Sequence, residues 1–175
     1  MHQKDAHCSY CGRRYPPDLA WPRTCGRCKN VAYRNPLPVA VVLVPVGDGL
    51  LVVRRGIEPA KGKLALPGGY VDFGETWQQA GAREVFEETG LRLDPAEIAD
   101  FRVRSSPVGV LVVFGLARKR TRRQLPKFVA NPEVAELAVL GGREELAFPL
   151  HTDAVADYFA RRRKARQSRT RGRKS

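Results

Sequence analysis

Mixed α and β layers around one core, α/β or α+β in class, preceded by a small metal-stapled module, are what this sequence predicts. Three observations carry that reading. Runs rich in Val, Leu and Ala with strand character are interspersed with two helix-patterned stretches, all four cysteines fall within the first 28 residues, and 175 residues suit one ordinary domain plus an appendage. Hydrophobic residues make up 43% of the chain, enough for a core, which excludes disorder throughout. No apolar run approaches the ~18 residues of a membrane span, the best candidates being Pro38–Val46 and Val108–Ala117. The opening MHQKDAHCSYC has no hydrophobic signal core, so a cytoplasmic location without membrane attachment is expected.

Residues 1–35 form the first predicted module. Cys8-x-x-Cys11 and Cys25-x-x-Cys28 are two knuckles that bring four thiolates to one tetrahedral point, which suits Zn²⁺. An iron–sulfur site, redox dithiols or, less suited to a cytosolic chain, paired disulfides are the other readings, and His2 and His7 are spare ligands or exposed residues. A module this short buries little apolar surface, so the metal would supply its folding energy. After the linker YRNPLP, residues 36–160 form the main domain. Val39–Val46 and Leu50–Arg54 read as strands joined across Gly47-Asp48-Gly49. Pro67-Gly68-Gly69 marks a turn. Thr76 with Gln79 is a capping box opening a helix that Gly90 can close. Ala99–Arg104, Val108–Ala117 and Val134–Leu140 are further strands, and a last helix spans about Thr152–Arg162, with Ala154, Val155, Tyr158 and Phe159 on one face.

Charge divides the chain. Of 31 Lys and Arg against 18 Asp and Glu, a net +13, nine basic and no acidic side chains lie in residues 161–175, leaving 22 basic and 18 acidic for the rest. That tail is expected to be disordered. Both it and the run Arg118–Arg123 read either as solvated segments or as an electrostatic footprint for nucleic acid or another polyanion. The tail has no aromatic residue for base stacking, which argues against sequence-specific recognition there.

Gly69–Leu91, GYVDFGETWQQAGAREVFEETGL, carries the chemistry. Glu84, Glu87 and Glu88 stand at i, i+3 and i+4 on one helix face. Like charges there destabilise a helix, and Glu87 and Glu88 also oppose the macrodipole in its last turn. A solvated acidic face partly neutralised by Arg83 is the plain reading. A cage of hard oxygen ligands for Mg²⁺ or Mn²⁺ is the functional one, since a cation reverses the repulsion.

Gly69, five residues, Glu75, seven residues, then Arg83-Glu84-Val85-x-Glu87-Glu88-x-Gly90-Leu91 resembles the signature of the Nudix hydrolases at every defined position. The likeness covers most of residues 8–160. Four cysteines, then Tyr33 and NP, then RRGIEPAKGKLALPGGY and FPLHTDAVADYF, resemble the zinc-ribbon branch, which includes pyrophosphatases acting on NADH, ADP-ribose or FAD. The resemblance implies an α/β/α sandwich with a mixed sheet, and metal-dependent hydrolysis of a nucleoside diphosphate linked to another group. The NADH type carries a motif rich in Gln, Trp, Pro and Phe where this chain reads RVRSSPVGVLVVF, a departure from that substrate and from NAD-capped RNA. ADP-ribose enzymes resemble one another in a proline sixteen residues past the box, where Pro107 stands; a strand-turn proline would look the same.

Carried over, Glu84 and Glu88 match the principal metal ligands, with Glu87 assisting and the Gly68 carbonyl completing the shell. Arg83 matches the arginine that orients the carboxylates, and Glu75 the one that braces the loop. A glutamate from outside the box often supplies a ligand or the general base; Glu136 matches best, with Glu133, Glu144 and Glu145 as alternatives. Tyr33 resembles a substrate-contacting tyrosine, or packs the ribbon. Arg54 and Arg55 are candidates for phosphate contacts, but as strand neighbours they face opposite sides, so at most one is expected to serve. Many family members are homodimers, although no stripe here establishes that. A nucleic-acid-binding or regulatory protein on the same scaffold, and a pyrophosphatase clearing nucleoside triphosphates, are the alternative functions.

Overall fold

The computed structural model of the protein describes residues 4–171, with side chains described through Ser168. His2 and residues 172–175 lie outside the described residues. The chain divides into two compact units at Pro36 and Leu37.

In the first unit, strands β1 (Arg23–Thr24) and β2 (Val31–Ala32) pair antiparallel, and the second cysteine knuckle occupies the connection between them. The first knuckle is closed by an antiparallel bridge between His7 and Arg14 and by the Cys8 N–H donating to the Arg13 carbonyl at 2.8 Å. Cys8, Cys25 and Tyr15 are the buried residues of this unit's small core. The Arg23 guanidinium stacks on Trp21 and Tyr15, 4.6 and 5.5 Å from their ring centres.

The second unit contains β3 (Leu37–Leu43), β4 (Pro45–Val46), β5 (Gly49–Arg55), β6 (Leu64–Ala65), β7 (Gly68–Tyr70), α1 (Trp77–Thr89), β8 (Ile98–Ser106), β9 (Val110–Ala117), β10 (Val134–Leu140) and α2 (Pro149–Arg171). One mixed sheet has the order β7-β3-β9-β8, with β3 and β9 parallel and the other pairs antiparallel. A second, antiparallel sheet runs β10-β5-β4, with β6 also on β5. The long predicted strand 39–46 breaks at Val44, where the chain passes from one sheet to the other.

Alternation along β3 and β5 explains why both are almost wholly apolar. Val41, Leu43, Leu50 and Val52 bury on the side of Ala154 and Val155 of α2, while Val42, Val44 and Leu51 bury on the side of Ala82 and Val85 of α1. Two helical layers therefore cover the strands between them. Helix α1 opens on the predicted capping box, with Thr76 and Gln79 exchanging hydrogen bonds, and closes on Gly90 at φ 73°. Among the described residues no helix is long and apolar enough to cross a membrane.

One expectation is corrected. Residues 161–171 are not a disordered tail but the continuation of α2, which starts three residues earlier than predicted and ends nine later. Arg, Lys, Ala and Gln are good helix formers. The helix is also held laterally, because Arg161 lies 4.3 Å from the Phe101 ring centre and Arg162 pairs with Asp48.

Candidate active site and metal centre

The acidic box is organised by one guanidinium. Arg83 donates to both oxygens of Glu75 at 2.7 and 3.2 Å, to Glu84 at 2.7 Å, to Glu87 at 3.1 Å and to the Tyr70 carbonyl at 2.9 Å. Glu75 also accepts the Asp72 N–H at 2.8 Å, and Arg83 holds its carboxyl below the usual range. One fork thus ties the loop before α1 to the first two acidic residues of the helix face.

Glu84 and Glu88 are set inward by glycines. A Cβ on Gly69 would overlap the Glu84 carboxylate, and one on Gly68 would overlap the Ala40 carbonyl of β3. The Gly68 N–H donates to Glu88 at 3.1 Å. Burial raises the Glu88 carboxyl to about 8, against the Gly68 hydrogen bond, with Glu84 and Glu133 adding to the rise. Burial also raises Glu84, opposed by Arg83 and assisted by Glu87 and Glu133. Glu87 is exposed. A buried carboxyl held neutral beside other acids is a donor set that a divalent cation would relieve, so the residues present fit Mg²⁺ or Mn²⁺.

Glu133 is an outside carboxylate whose charge bears on both Glu84 and Glu88. Asn131 donates to the Glu87 carbonyl at 3.3 Å and accepts from the Glu133 and Val134 N–H groups, fastening this turn to α1. Glu136 instead pairs with Arg54 at 2.7 Å across the β5–β10 ladder. The register shifts between Val134 and Glu136, a bulge that alternation in the sequence does not reveal. Arg54 also donates to the Gly62 carbonyl. Arg55 is the arginine on the box side: its charge lowers Glu88, its Nε donates to the Pro59 carbonyl at 2.8 Å, and it lies 5.1 Å from the Phe148 ring centre.

Sequence reading missed His151. It is buried, accepts the Leu66 N–H at Nδ1 at 3.2 Å, and meets Phe114 and Phe148 edge-on. It thereby supports the strand-to-turn segment that leads into Gly68. The only signal was a lone His in the apolar pattern FPLHTDAV. Pro107 is exposed in the β8–β9 turn, beside the start of β3, and Tyr33 is exposed just after β2. Glu144 and Glu145 are exposed after β10.

The cysteine sulfurs converge. All four lie within 4.8 Å of one another, with Cys8–Cys28 and Cys11–Cys25 both at 3.6 Å. Zn–S bonds of about 2.3 Å in a tetrahedron place sulfurs about 3.8 Å apart, so the cluster fits zinc. Burial opposes ionisation of Cys8, but backbone N–H groups of Tyr10 and Cys11 bring its thiol down to about 6; those of Cys28 and Arg27 lower Cys25.

Residues 35–160 match the NUDIX domain family, and the chain belongs to it. Over 94 residues it is 32% identical to the NAD-capped RNA hydrolase NudC of Shigella flexneri, an alignment covering 53% of this chain and 36% of that protein. The chain spans about a third of the length of the curated relatives it matches. A solved NUDIX hydrolase of Nitrosomonas europaea is 27% identical with a TM-score of 0.73, covering 90% of this chain and 92% of that one. A bifunctional NMN adenylyltransferase/ADP ribose pyrophosphatase of Francisella tularensis, solved with AMP and a manganese ion, is 27% identical with a TM-score of 0.53 over 61% of this chain and 34% of that chain.

Proposed function

We propose that the second unit hydrolyses the pyrophosphate bond of a nucleoside diphosphate derivative, ADP-ribose first among them, with Mg²⁺ or Mn²⁺ held by Glu84, Glu88 and Glu87 and the Gly68 carbonyl. The observation that carries this is a buried Glu88 facing Gly68 beside a Glu84 clamped by Arg83. The metal, when bound, polarises phosphoryl oxygens and acidifies water. Arg83 keeps Glu84 and Glu87 aimed and partly neutralised. Arg55 offers positive charge to a phosphate on the Glu88 side. In this reading Glu133, one of the alternatives to Glu136 for the outside glutamate and a charge that bears on Glu84 and Glu88, takes the proton of the attacking water.

Pro107, the departure in RVRSSPVGVLVVF and the likeness to the Francisella ADP ribose pyrophosphatase support the substrate choice. The curated relatives act on NAD-capped RNA, which keeps a dinucleotide-type substrate as the second reading. Four thiolates leave zinc no open position, so the ribbon is structural in this proposal. Turnover of ADP-ribose, NADH, FAD, diadenosine polyphosphates and nucleoside triphosphates with Mg²⁺, in wild type and Glu84→Gln, is the test. AMP and ribose 5-phosphate from ADP-ribose in wild type alone is expected; full turnover by Glu84→Gln at saturating Mg²⁺ overturns the metal assignment.

A further inference from the structure

The cysteine module holds one buried polar group that neither its backbone pairing nor the hydrolytic site uses. Of the first unit's tyrosines, Tyr10 and Tyr33 are exposed, whereas Tyr15 keeps only 6% of its surface. Its hydroxyl has no hydrogen-bond partner among the described residues. A buried hydroxyl so left is costly, and native folds leave few of them. What the hydroxyl faces is sulfur: it stands within reach of Cys8, and the charges of Cys25 and Cys28 bear on it as well. The ring is held in that pose. Tyr15 donates its N–H to the Ala6 carbonyl at 2.9 Å, and the ring lies under the Arg23 guanidinium, which is itself fixed by bonds to the Leu19 and Asp5 carbonyls at 2.8 and 2.9 Å. The four sulfurs are not equivalent. Cys11 and Cys28 are half-buried, and Cys28 has the exposed Asn30 amide at 3.5 Å, while Cys8 and Cys25 are buried. Backbone N–H groups serve both buried sulfurs, those of Tyr10 and Cys11 at Cys8 and those of Cys28 and Arg27 at Cys25; Cys8 has the Tyr15 hydroxyl besides.

We propose that Tyr15 is a positioning residue for the metal: in the zinc-loaded ribbon its hydroxyl donates to the Cys8 thiolate, fixing that sulfur and strengthening the hold on zinc. The inference rests on the zinc reading of the four cysteines and is independent of the hydrolytic one. A thiol is a weak acceptor. A thiolate held by a metal is an ionised one, and hydrogen bonds to ionised acceptors are roughly twice as strong as neutral ones. Four thiolates also bring more negative charge than Zn²⁺ neutralises, so a donor behind the ligands that spreads the surplus stabilises the complex. Losing a partner of that kind typically lowers metal affinity by about 10–100-fold. At Cys8 burial keeps solvent from filling that role, which leaves it to the backbone and to Tyr15.

The test compares Tyr15→Phe, which removes the hydroxyl and keeps the ring under Arg23, with wild type and with the exposed-site control Tyr10→Phe, all as full-length protein. Competition with a chromophoric chelator should show zinc affinity lowered about 10–100-fold in Tyr15→Phe and unchanged in Tyr10→Phe. Loaded with Co²⁺, Tyr15→Phe should move the thiolate-to-metal charge-transfer band to lower energy, because a thiolate that loses a hydrogen bond gives up its electron more readily. Packing of the ring alone would move neither. A further measurement needs no substitution: with ¹¹³Cd in the wild-type ribbon, the Tyr15 hydroxyl proton should exchange slowly and show scalar coupling to the metal through the Cys8 sulfur. Wild-type zinc affinity with an unshifted band in Tyr15→Phe would overturn the proposal, as would an equal loss in Tyr10→Phe or a Tyr15 hydroxyl proton uncoupled from ¹¹³Cd. A wild type that takes up no zinc would overturn the metal reading beneath it, a result distinct from failure of the hydroxyl's role.

Discussion

The four cysteines and the three box glutamates are both acid clusters at metal-ligand spacing, yet the two regions are built on opposite plans. The sulfurs already stand at tetrahedral separation, with backbone N–H groups favouring the thiolates of Cys8 and Cys25. The carboxylates are kept apart. Arg83 draws Glu84 and Glu87 to its guanidinium, while Glu88 turns to the Gly68 N–H and holds its proton. Among the described residues no three of them bring ligand oxygens within 4.8 Å of one another. A soft site proposed to serve the fold can be fully assembled, since a structural metal would stay. A hard site proposed for catalysis is charged here with an internal cation, Arg83, which offsets its carboxylates without a metal.

The largest effect that would break this contrast lies in the ribbon. Structural zinc in such modules contributes about 10–16 kcal/mol in apparent binding free energy. Cys25→Ser, or prolonged chelation, should therefore abolish the dispersed NMR signals of the first unit while the second unit still melts cooperatively. Retention of the first unit's dispersion after metal loss would show that Tyr15 and the stacked Arg23 suffice to fold it.

Next in size is Glu88→Gln. If Glu88 is neutral in the metal-free fold at pH 7, the amide replaces a protonated acid at little cost in stability, yet removes a ligand that must ionise to bind Mg²⁺. Thermal melting without metal should change little, and kcat should fall by at least about 100-fold. A large loss of stability with retained Mg²⁺ binding would instead mark Glu88 as a structural acid. Arg83→Lys is expected to be milder. A lysine cannot hold Glu75, Glu84 and Glu87 in one planar fork, and loss of such a supporting contact lowers metal affinity by about 10–100-fold, readable by Mg²⁺ titration of activity.

How much of this was legible in the sequence follows from which contacts are local. The capping box, the αL glycine after α1 and the i, i+3, i+4 acids act within a few residues, and the four-cysteine spacing implies its own geometry. The break at Val44 is not local, because it depends on two sheets competing for one apolar run. Nor is the pairing of Glu136 with Arg54, which turns on a one-residue bulge opposite Arg54 and Arg55. A period-two reading carries residue 136 to the wrong partner as soon as one residue is inserted. The length of α2 was missed because a run of like charge reads as solvated, whereas Asp48 and Phe101, more than 50 residues away in sequence, fasten it.

The subtlest expected difference is in pH, and it sets two buried groups of the second unit against each other. Glu88 titrates near 4.5 unfolded and near 8 folded, so between those values the folded state binds the extra proton and stability falls as pH rises. His151, pushed by burial from 6.5 to about 4, does the reverse: the unfolded state binds the extra proton, and stability rises with pH over that interval. From about pH 4.5 to 6.5 the two slopes oppose and largely cancel. Above 6.5 only Glu88 remains, and the metal-free second unit should lose about 2 kcal/mol by pH 8. Mg²⁺ should flatten that loss by taking the place of the proton. Replacing His151 with Phe should unmask the Glu88 slope down to pH 4.5. Urea melts of the zinc-loaded protein at half-unit pH intervals, with and without Mg²⁺, measure this directly; a wild-type profile flat from 6.5 to 8 without Mg²⁺ would mean that Glu88 is ionised in the metal-free fold and that the box needs no cation to hold its charge.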